Sequence, residues 1–179
     1  MTTNQRAVLT GAGAMSRKWL DAIKTVGGVD IVGIVDINPA NAEARAAEQN
    51  INPEIGTDLK AMLDRLSPEI VFDVAIPAVR HGIVSTALAA GAHVLSEKPM
   101  AETLDQARDL VAHAEAAGRL HVVIQNRRYL AQLRRLRRLV ASGAIGDITG
   151  VHCDFFLDPH FGGFREQMPH VLLLDMAVH

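Results

Sequence analysis

A turn with two glycines near the start of the chain has the residue types to bind a phosphate. Residues 10–16 read TGAGAMS, between a strand-like apolar run and a segment with helical spacing. Gly11 permits a tight turn, and Gly13 lets a pyrophosphate lie against the backbone, while Ser16 replaces the third glycine of the dinucleotide fingerprint. The N–H groups and partial positive charge of the helix N-terminus would hold the phosphate. An ordinary turn remains the alternative, because the motif alone is weak.

A carboxylate at the end of the next apolar run strengthens this interpretation. Asp36 ends the run at residues 30–36 and has the spacing from the glycine turn expected for an acid that binds the ribose hydroxyls of adenosine. Ile37 follows it, and no adjacent Arg or Lys could neutralise a 2′-phosphate, so the pattern favours NAD over NADP. The alternative role for Asp36, capping the next helix, is already filled by Asn38, which precedes a proline at the first helical position.

Lys98 has the chemistry to stabilise negative charge on a substrate oxygen. It lies in Glu97-Lys98-Pro99, directly after the apolar run 92–96. In open α/β sheets, ligands bind at the carboxyl ends of the strands. A lysine there can donate a hydrogen bond to a substrate hydroxyl and stabilise its oxyanion. The alternative is a turn with solvated charges.

Asp175 and His179 have the spacing of a general base and the carboxylate that orients it. They are four residues apart, so a helix would place them on one face. A neighbouring carboxylate makes an imidazole more basic and fixes its orientation. A surface pair without a role is the alternative for this spacing alone.

The elements that must position these groups alternate between strands and helices. Strands are predicted over 6–10, 30–36, 70–76, 92–96 and 120–124, with helices between them. This order predicts an α/β fold with a doubly wound parallel Rossmann sheet over residues 1–125. Residues 126–179 predict the beginning of a second α/β domain for substrate binding and oligomerisation. They combine an amphipathic helix over 129–142, a half-exposed strand over 148–157, a loop, and the start of a helix from 169.

Composition excludes several other classes of protein. The 179 residues have a formal net charge of −2, which gives no general attraction to nucleic acid. The arginines between residues 127 and 138 are therefore interpreted as a solvated helix face, with a nucleic-acid patch as the alternative. One cysteine, Cys153, fits a reducing compartment, and no apolar run approaches membrane-spanning length. We expect a cytoplasmic protein without a membrane segment, and the irregular histidine spacing predicts no metal site.

Taken together, these motifs resemble the glucose–fructose oxidoreductase, inositol dehydrogenase and MocA (Gfo/Idh/MocA) family of NAD(P)-dependent oxidoreductases. The matching features are the glycine turn, Asp36, Ile76-Pro77 with His81, Glu97-Lys98-Pro99 and the Asp175/His179 pair, in the family's order along the chain. The resemblance implies a catalytic trio of Lys98, Asp175 and His179. It also implies that the cofactor NAD is lined by Gly11, Gly13, Ala14, Met15, Asp36, Pro77, His81, Glu97 and Gln125.

The resemblance implies hydride transfer between the nicotinamide and a carbinol carbon of a sugar, polyol or related hydroxy compound. Family members continue into a larger second domain that completes the substrate pocket and commonly forms the subunit interface. Only the beginning of that domain is expected here, so a non-catalytic NAD-binding or interaction module is the alternative function. A homo-oligomer is expected, because the apolar alternation of 148–157 indicates a sheet face or edge that needs a partner.

Overall fold

The computed structural model describes residues 4–156 and 160–178. The chain divides into two compact units, residues 1–124 and residues 125–179. The first unit contains the sheet, and the second contains the helix and irregular segments that follow it. Each unit is described by itself.

The first unit is built on a parallel sheet whose strand order is β3-β2-β1-β4-β5-β6 among the described residues. Because β1 and β4 are neighbours, the order reverses direction between them, and their carboxyl ends flank a crevice where such folds bind ligands. This topology confirms the predicted doubly wound Rossmann sheet. The strands are β1 Gln5–Thr10, β2 Val29–Val35, β3 Glu54–Gly56, β4 Ile70–Asp73, β5 His93–Ser96 and β6 His121–Val123.

Helices follow the strands, and some of them start at a residue whose side chain caps the first turn. Asn38 accepts a hydrogen bond from the Ala40 N–H, and Thr103 accepts one from the Gln106 N–H, which satisfies donors at two helix starts. No helix in the described part of the chain is long and apolar enough to cross a membrane. The helices are α1 Ala14–Val26, α2 Pro39–Glu48, α3 Leu59–Leu66, α4 Pro77–Ala89, α5 Leu104–Ala117 and α6 Ala131–Ala141.

The core lies on both faces of the central strands. On one face, Leu9 and Phe72 pack with Trp19 and Leu20 of α1. On the other, Val71 and Val94 pack with Leu110 of α5. Burial on both faces explains why these strands are almost wholly apolar. The same packing holds in place the strand ends at which the candidate site lies.

Two strand predictions in the first unit are corrected by the structure. The strand predicted over 70–76 ends at Asp73, because the Asp73 carboxylate accepts the Ala75 N–H and turns the chain. β3 was not predicted, because its three residues lie between Pro53 and a turn and have no apolar alternation. It forms because Gly33, Ile34 and Val35 of β2 offer it a parallel partner.

The second unit corrects the strand predicted over 148–157. Residues 148–156 are not in a strand, and Leu157 lies outside the described residues. The alternation is real, but a strand also needs backbone partners, and the described residues of this unit form no ladder for it to join. Val151 and Phe156 are exposed. Further along, short helical turns cover Gly163–Gln167 and Leu172–Met176, the second within the helix predicted from residue 169.

Candidate functional site

The glycine turn after β1 is tight at its first glycine. Gly11 has a φ of +85°, and a Cβ built there would lie 2.8 Å from the Ala75 backbone nitrogen. Its N–H donates to the Val35 carbonyl over 2.8 Å. The chain therefore passes so close to the segment after β4 that a side chain at position 11 has no room.

The second glycine faces open space. A Cβ at Gly13 would meet no atom within 4 Å, and no side chain caps the α1 N-terminus that Gly13 precedes. Ser16, in the place of a third glycine, is buried and donates to the Gly13 carbonyl over 2.6 Å. The first turn of α1 thus presents backbone N–H groups toward a space that a bound group can fill.

Asp36 is held beside the turn by backbone donors. Its Oδ2 accepts the Ala12 N–H over 2.7 Å, and its Oδ1 accepts the Asn38 N–H over 2.9 Å. Oδ1 also accepts from Asn41 Nδ2 over 3.3 Å. Each oxygen of an ionised carboxylate can accept about two hydrogen bonds, so Oδ2 keeps a lone pair for a ribose hydroxyl. Open space at Gly13, uncapped N–H groups and an oriented carboxylate together fit a dinucleotide.

A basic residue that the sequence did not indicate also reaches the turn. Arg45 of α2 donates from Nη2 to the Gly13 carbonyl over 3.2 Å and is ion-paired with Glu48. It lies nine positions after Asp36, so inspection of adjacent residues missed it. The contact depends on where α2 packs, which no pattern in the sequence indicates.

The loop after β5 is anchored from several sides. The Glu97 N–H donates to the Asp73 carbonyl over 2.9 Å, and the Glu97 carboxylate accepts from Trp19 Nε1 over 2.8 Å. The Lys98–Pro99 peptide is cis, and Lys98 is half-buried. Because β4 and β5 are neighbours in the sheet, the Lys98 loop and the segment after β4 lie at the same edge.

A buried ion pair beneath this edge was missed by the sequence analysis. Arg80 of α4 donates from Nε to Asp73 Oδ2 over 2.8 Å, and both side chains are at most 1% exposed. Burial raises the pKa of the Asp73 carboxyl, while Arg80, the Ala75 N–H and the Thr10 hydroxyl oppose the rise. The available signal was an aspartate ending an apolar strand, since a buried carboxylate requires a partner.

His121 of β6 lies on the same side of the sheet. Its Nε2 is 3.0 Å from the Ser96 hydroxyl oxygen, and its Nδ1 is buried without a hydrogen-bond partner among the described residues. Burial, and then the charge of Arg80, lower the pKa of the His121 imidazole. The neutral ring is therefore favoured in the folded protein.

The remaining predicted cofactor residues of the first unit occupy different surroundings. Ala14 and Met15 are exposed in the first turn of α1, and Pro77 is the buried first residue of α4. His81 Nε2 lies 2.7 Å from the Asp109 carboxylate of α5. Their contact with cofactor stays a prediction, as it does for Gln125, which begins the second unit.

Both residues predicted to act with Lys98 belong to the second unit, and the structure describes one of them. Asp175 is 2% exposed and accepts a hydrogen bond from Arg165 Nε over 2.8 Å. Arg165 also lies over the Phe164 ring, 4.8 Å from its centroid. His179 lies outside the described residues, so its pairing with Asp175 stays a prediction.

This chain is similar to known oxidoreductases. The Gfo/Idh/MocA family model, an oxidoreductase family with an NAD-binding Rossmann fold, matches residues 5–125. The 1,5-anhydro-D-fructose reductase of Ensifer adhaerens is 30% identical over 177 residues, 96% of this chain and 53% of that protein. The inositol 2-dehydrogenase of Ralstonia nicotianae is 30% identical over 171 residues, 94% of this chain and 50% of that protein.

The solved structure of a dehydrogenase is also similar to this chain. The crystal structure of the WlbA dehydrogenase from Bordetella pertussis, in complex with NADH and UDP-GlcNAcA, has a TM-score of 0.74 and 28% identity. The match covers 80% of this chain and 43% of that chain. The NAD-binding family and the NADH complex confirm the predicted cofactor, NAD. The chain spans about half the length of the curated relatives named above.

Proposed function

Because this chain belongs to the Gfo/Idh/MocA oxidoreductase family, we propose that it transfers a hydride between NAD and a carbinol carbon of a sugar, polyol or related hydroxy compound. The observation that carries the proposal is the position of Lys98. It follows β5 at the sheet edge that also holds the glycine turn and Asp36. A cation placed there can act on an oxygen of a substrate bound beside the cofactor.

The chain's own residues divide the work between binding and proton movement. The α1 N-terminus and Gly13 bind the pyrophosphate, and Asp36 accepts from the ribose hydroxyls. The bound nicotinamide supplies the hydride acceptor. Lys98 donates to the substrate hydroxyl and stabilises its developing negative charge. His179 takes the hydroxyl proton as general base, and Asp175 orients His179.

The relatives support the substrate class. Two relatives are named for a sugar derivative and a polyol, as 1,5-anhydro-D-fructose reductase and inositol 2-dehydrogenase. The second candidate function is a non-catalytic NAD-binding or interaction module. It is favoured by the exposed apolar side chains of 148–156.

A turnover assay separates the two functions. The chain is incubated with NAD⁺ and a panel of cyclic polyols and aldoses, and NADH formation is followed by absorbance. We expect turnover with at least one compound and its loss in Lys98→Met, with Lys18→Met as the matched control on the exposed surface of α1. NADH binding without turnover on the whole panel would favour the non-catalytic module.

We also propose that the chain self-associates in the cytoplasm. Val151 and Phe156 expose 81% and 91% of their surface, which is unfavourable for apolar side chains in water. Light scattering at increasing concentration tests the association, and a constant monomer mass would contradict it.

A further inference from the structure

Arg80 is buried beneath the candidate site and joins segments that are far apart in sequence. Its guanidinium donates from Nε to Asp73, from Nη2 to the Ala75 carbonyl over 2.6 Å, and from Nη1 to the Pro99 carbonyl over 2.6 Å. The first two acceptors belong to the end of β4 and the turn after it, and the third belongs to the Lys98 loop. One planar side chain thus connects both loops.

Each loop reached by Arg80 borders a different part of the site. The Ala75 backbone is the surface against which Gly11 closes, at the 2.8 Å spacing that excludes a Cβ. Pro99 directly follows Lys98. The fixed fork of a guanidinium can hold several acceptors at set separations, which the single ammonium of a lysine cannot do.

We infer that Arg80, with Asp73 as its counter-ion, is a positioning residue that fixes Lys98 relative to the dinucleotide turn. This inference rests on the proposed function, because it assigns Arg80 a role in placing the lysine that meets the substrate. Arg80 itself, 1% exposed, lies beneath the site and acts through the Pro99 and Ala75 carbonyls.

Stability alone would not require this arrangement. A buried ion pair is often replaceable by apolar residues without loss of stability, whereas removing one partner leaves an uncompensated charge. Asp73 alone would satisfy the charge of Arg80, yet the guanidinium also donates to two loop carbonyls. The two carbonyl contacts are what position the Lys98 loop.

The test measures the chemical reactivity of Lys98 in the full 179-residue chain without cofactor. Wild type and the double variant Asp73→Asn/Arg80→Met, which removes both buried charges, are acetylated with an N-hydroxysuccinimide ester, and each lysine is quantified by mass spectrometry. The exposed Lys18 is the internal reference. Arg65→Met is the matched control, because Arg65 forms its ion pair with Glu54 on the surface.

Loss of the Arg80 contact with the Pro99 carbonyl should let the loop open and make the half-buried Lys98 more accessible. We therefore expect Lys98 to react about two- to tenfold faster in the double variant, the fold-change that corresponds to one hydrogen bond of ordinary net strength. The reactivity of Lys18 should be unchanged. Arg80→Lys, which keeps the charge but not the fork, should give an intermediate rate. Unchanged Lys98 reactivity in the folded double variant would overturn the inference. If the double variant does not fold, a wild-type rate in Arg80→Lys would overturn it.

Turnover provides a second readout that keeps the two proposals distinguishable. With an active substrate, the double variant should lower kcat by about 10²-fold, the scale of a misplaced catalytic group, while the Kd for NADH stays near that of wild type. A wild-type chain without turnover would count against the proposed function, while the reactivity of Lys98 would still decide the role of Arg80.

Discussion

The same substitution should destabilise the protein at one glycine of the turn and leave its stability nearly unchanged at the other. In Gly11→Ala, the new Cβ lies 2.8–2.9 Å from backbone atoms of Val74 and Ala75, at a φ of +85°. A left-handed backbone costs an alanine about 1–2 kcal/mol, and overpacking against a rigid backbone adds about 1–3 kcal/mol. We therefore expect the free energy of unfolding to fall by about 2–5 kcal/mol, a large part of a typical total of about 5–15 kcal/mol.

Gly13→Ala is the matched control for this loss. Its Cβ meets no atom within 4 Å, and its φ of −66° is ordinary for alanine. The entropic gain of replacing glycine, about 0.4–1 kcal/mol, offsets the weaker capping by alanine, so stability should be nearly unchanged. Urea unfolding followed by circular dichroism measures both variants. Equal stabilities for Gly11→Ala and wild type would refute the close approach of Gly11 to the Ala75 backbone.

Three further predictions concern the cofactor, the half-buried His121 and the Lys98 loop. Asp36→Ala should weaken NADH binding by about 1.5–3 kcal/mol and reduce the ratio by which the chain binds NADH more tightly than NADPH. Calorimetric titration with both cofactors measures this ratio, and equal affinities of wild type for NADH and NADPH would contradict the role of Asp36 in selecting NAD. Because the pKa of His121 is lower in the folded than in the unfolded protein, the unfolded chain binds more protons below about pH 6.5, and the free energy of unfolding should fall on acidification there. Thermal melts should show a smaller loss of stability on acidification in His121→Gln than in wild type. The same loss in both would contradict the lowered pKa of His121. Trp19→Phe removes the donor to Glu97 and should lower stability by about 1.5–3 kcal/mol in urea unfolding, whereas an unchanged midpoint would mean that this bond contributes nothing.

The order of elements in the first unit was predictable because its boundaries are local. Gly118 ends α5 with a φ of +59°, and Asn38 and Thr103 cap helices through their own side chains. The segments between these signals are nearly continuous apolar runs, which are typical of strands buried in a parallel sheet. β3 could not be predicted, because its structure depends on pairing with β2 and its three residues show no apolar alternation.

The error at residues 148–156 has the same physical origin. Alternation reports which faces of a segment are apolar, but a strand exists only where another backbone supplies donors and acceptors. Side chains in this segment, such as Val151 and Phe156, are therefore exposed. Sequence patterns predict local conformation well and pairing poorly.

The motifs of the candidate site were predictable from the sequence, but the contacts that hold these motifs in place were not. Gly11, Asp36 and Lys98 lie at strand ends, where the topology alone gathers them at one edge. The contacts of Arg80 with the Pro99 and Ala75 carbonyls depend on how α4 packs, which no spacing encodes. The pairing of Asp175 with Arg165 across a loop has the same character.

The most direct test of the account is whether NADH binds at the glycine turn. Trp19, the single tryptophan of the chain, lies in the helix that begins at this turn, so its emission should pass to bound NADH by energy transfer. Titrating the wild-type chain with NADH should give a saturable signal with one site per chain. The signal should weaken strongly in Gly13→Ala, whose fold is expected to be intact. No saturable transfer in wild type, or the same affinity in Gly13→Ala, would contradict the assignment of this turn as the NAD site.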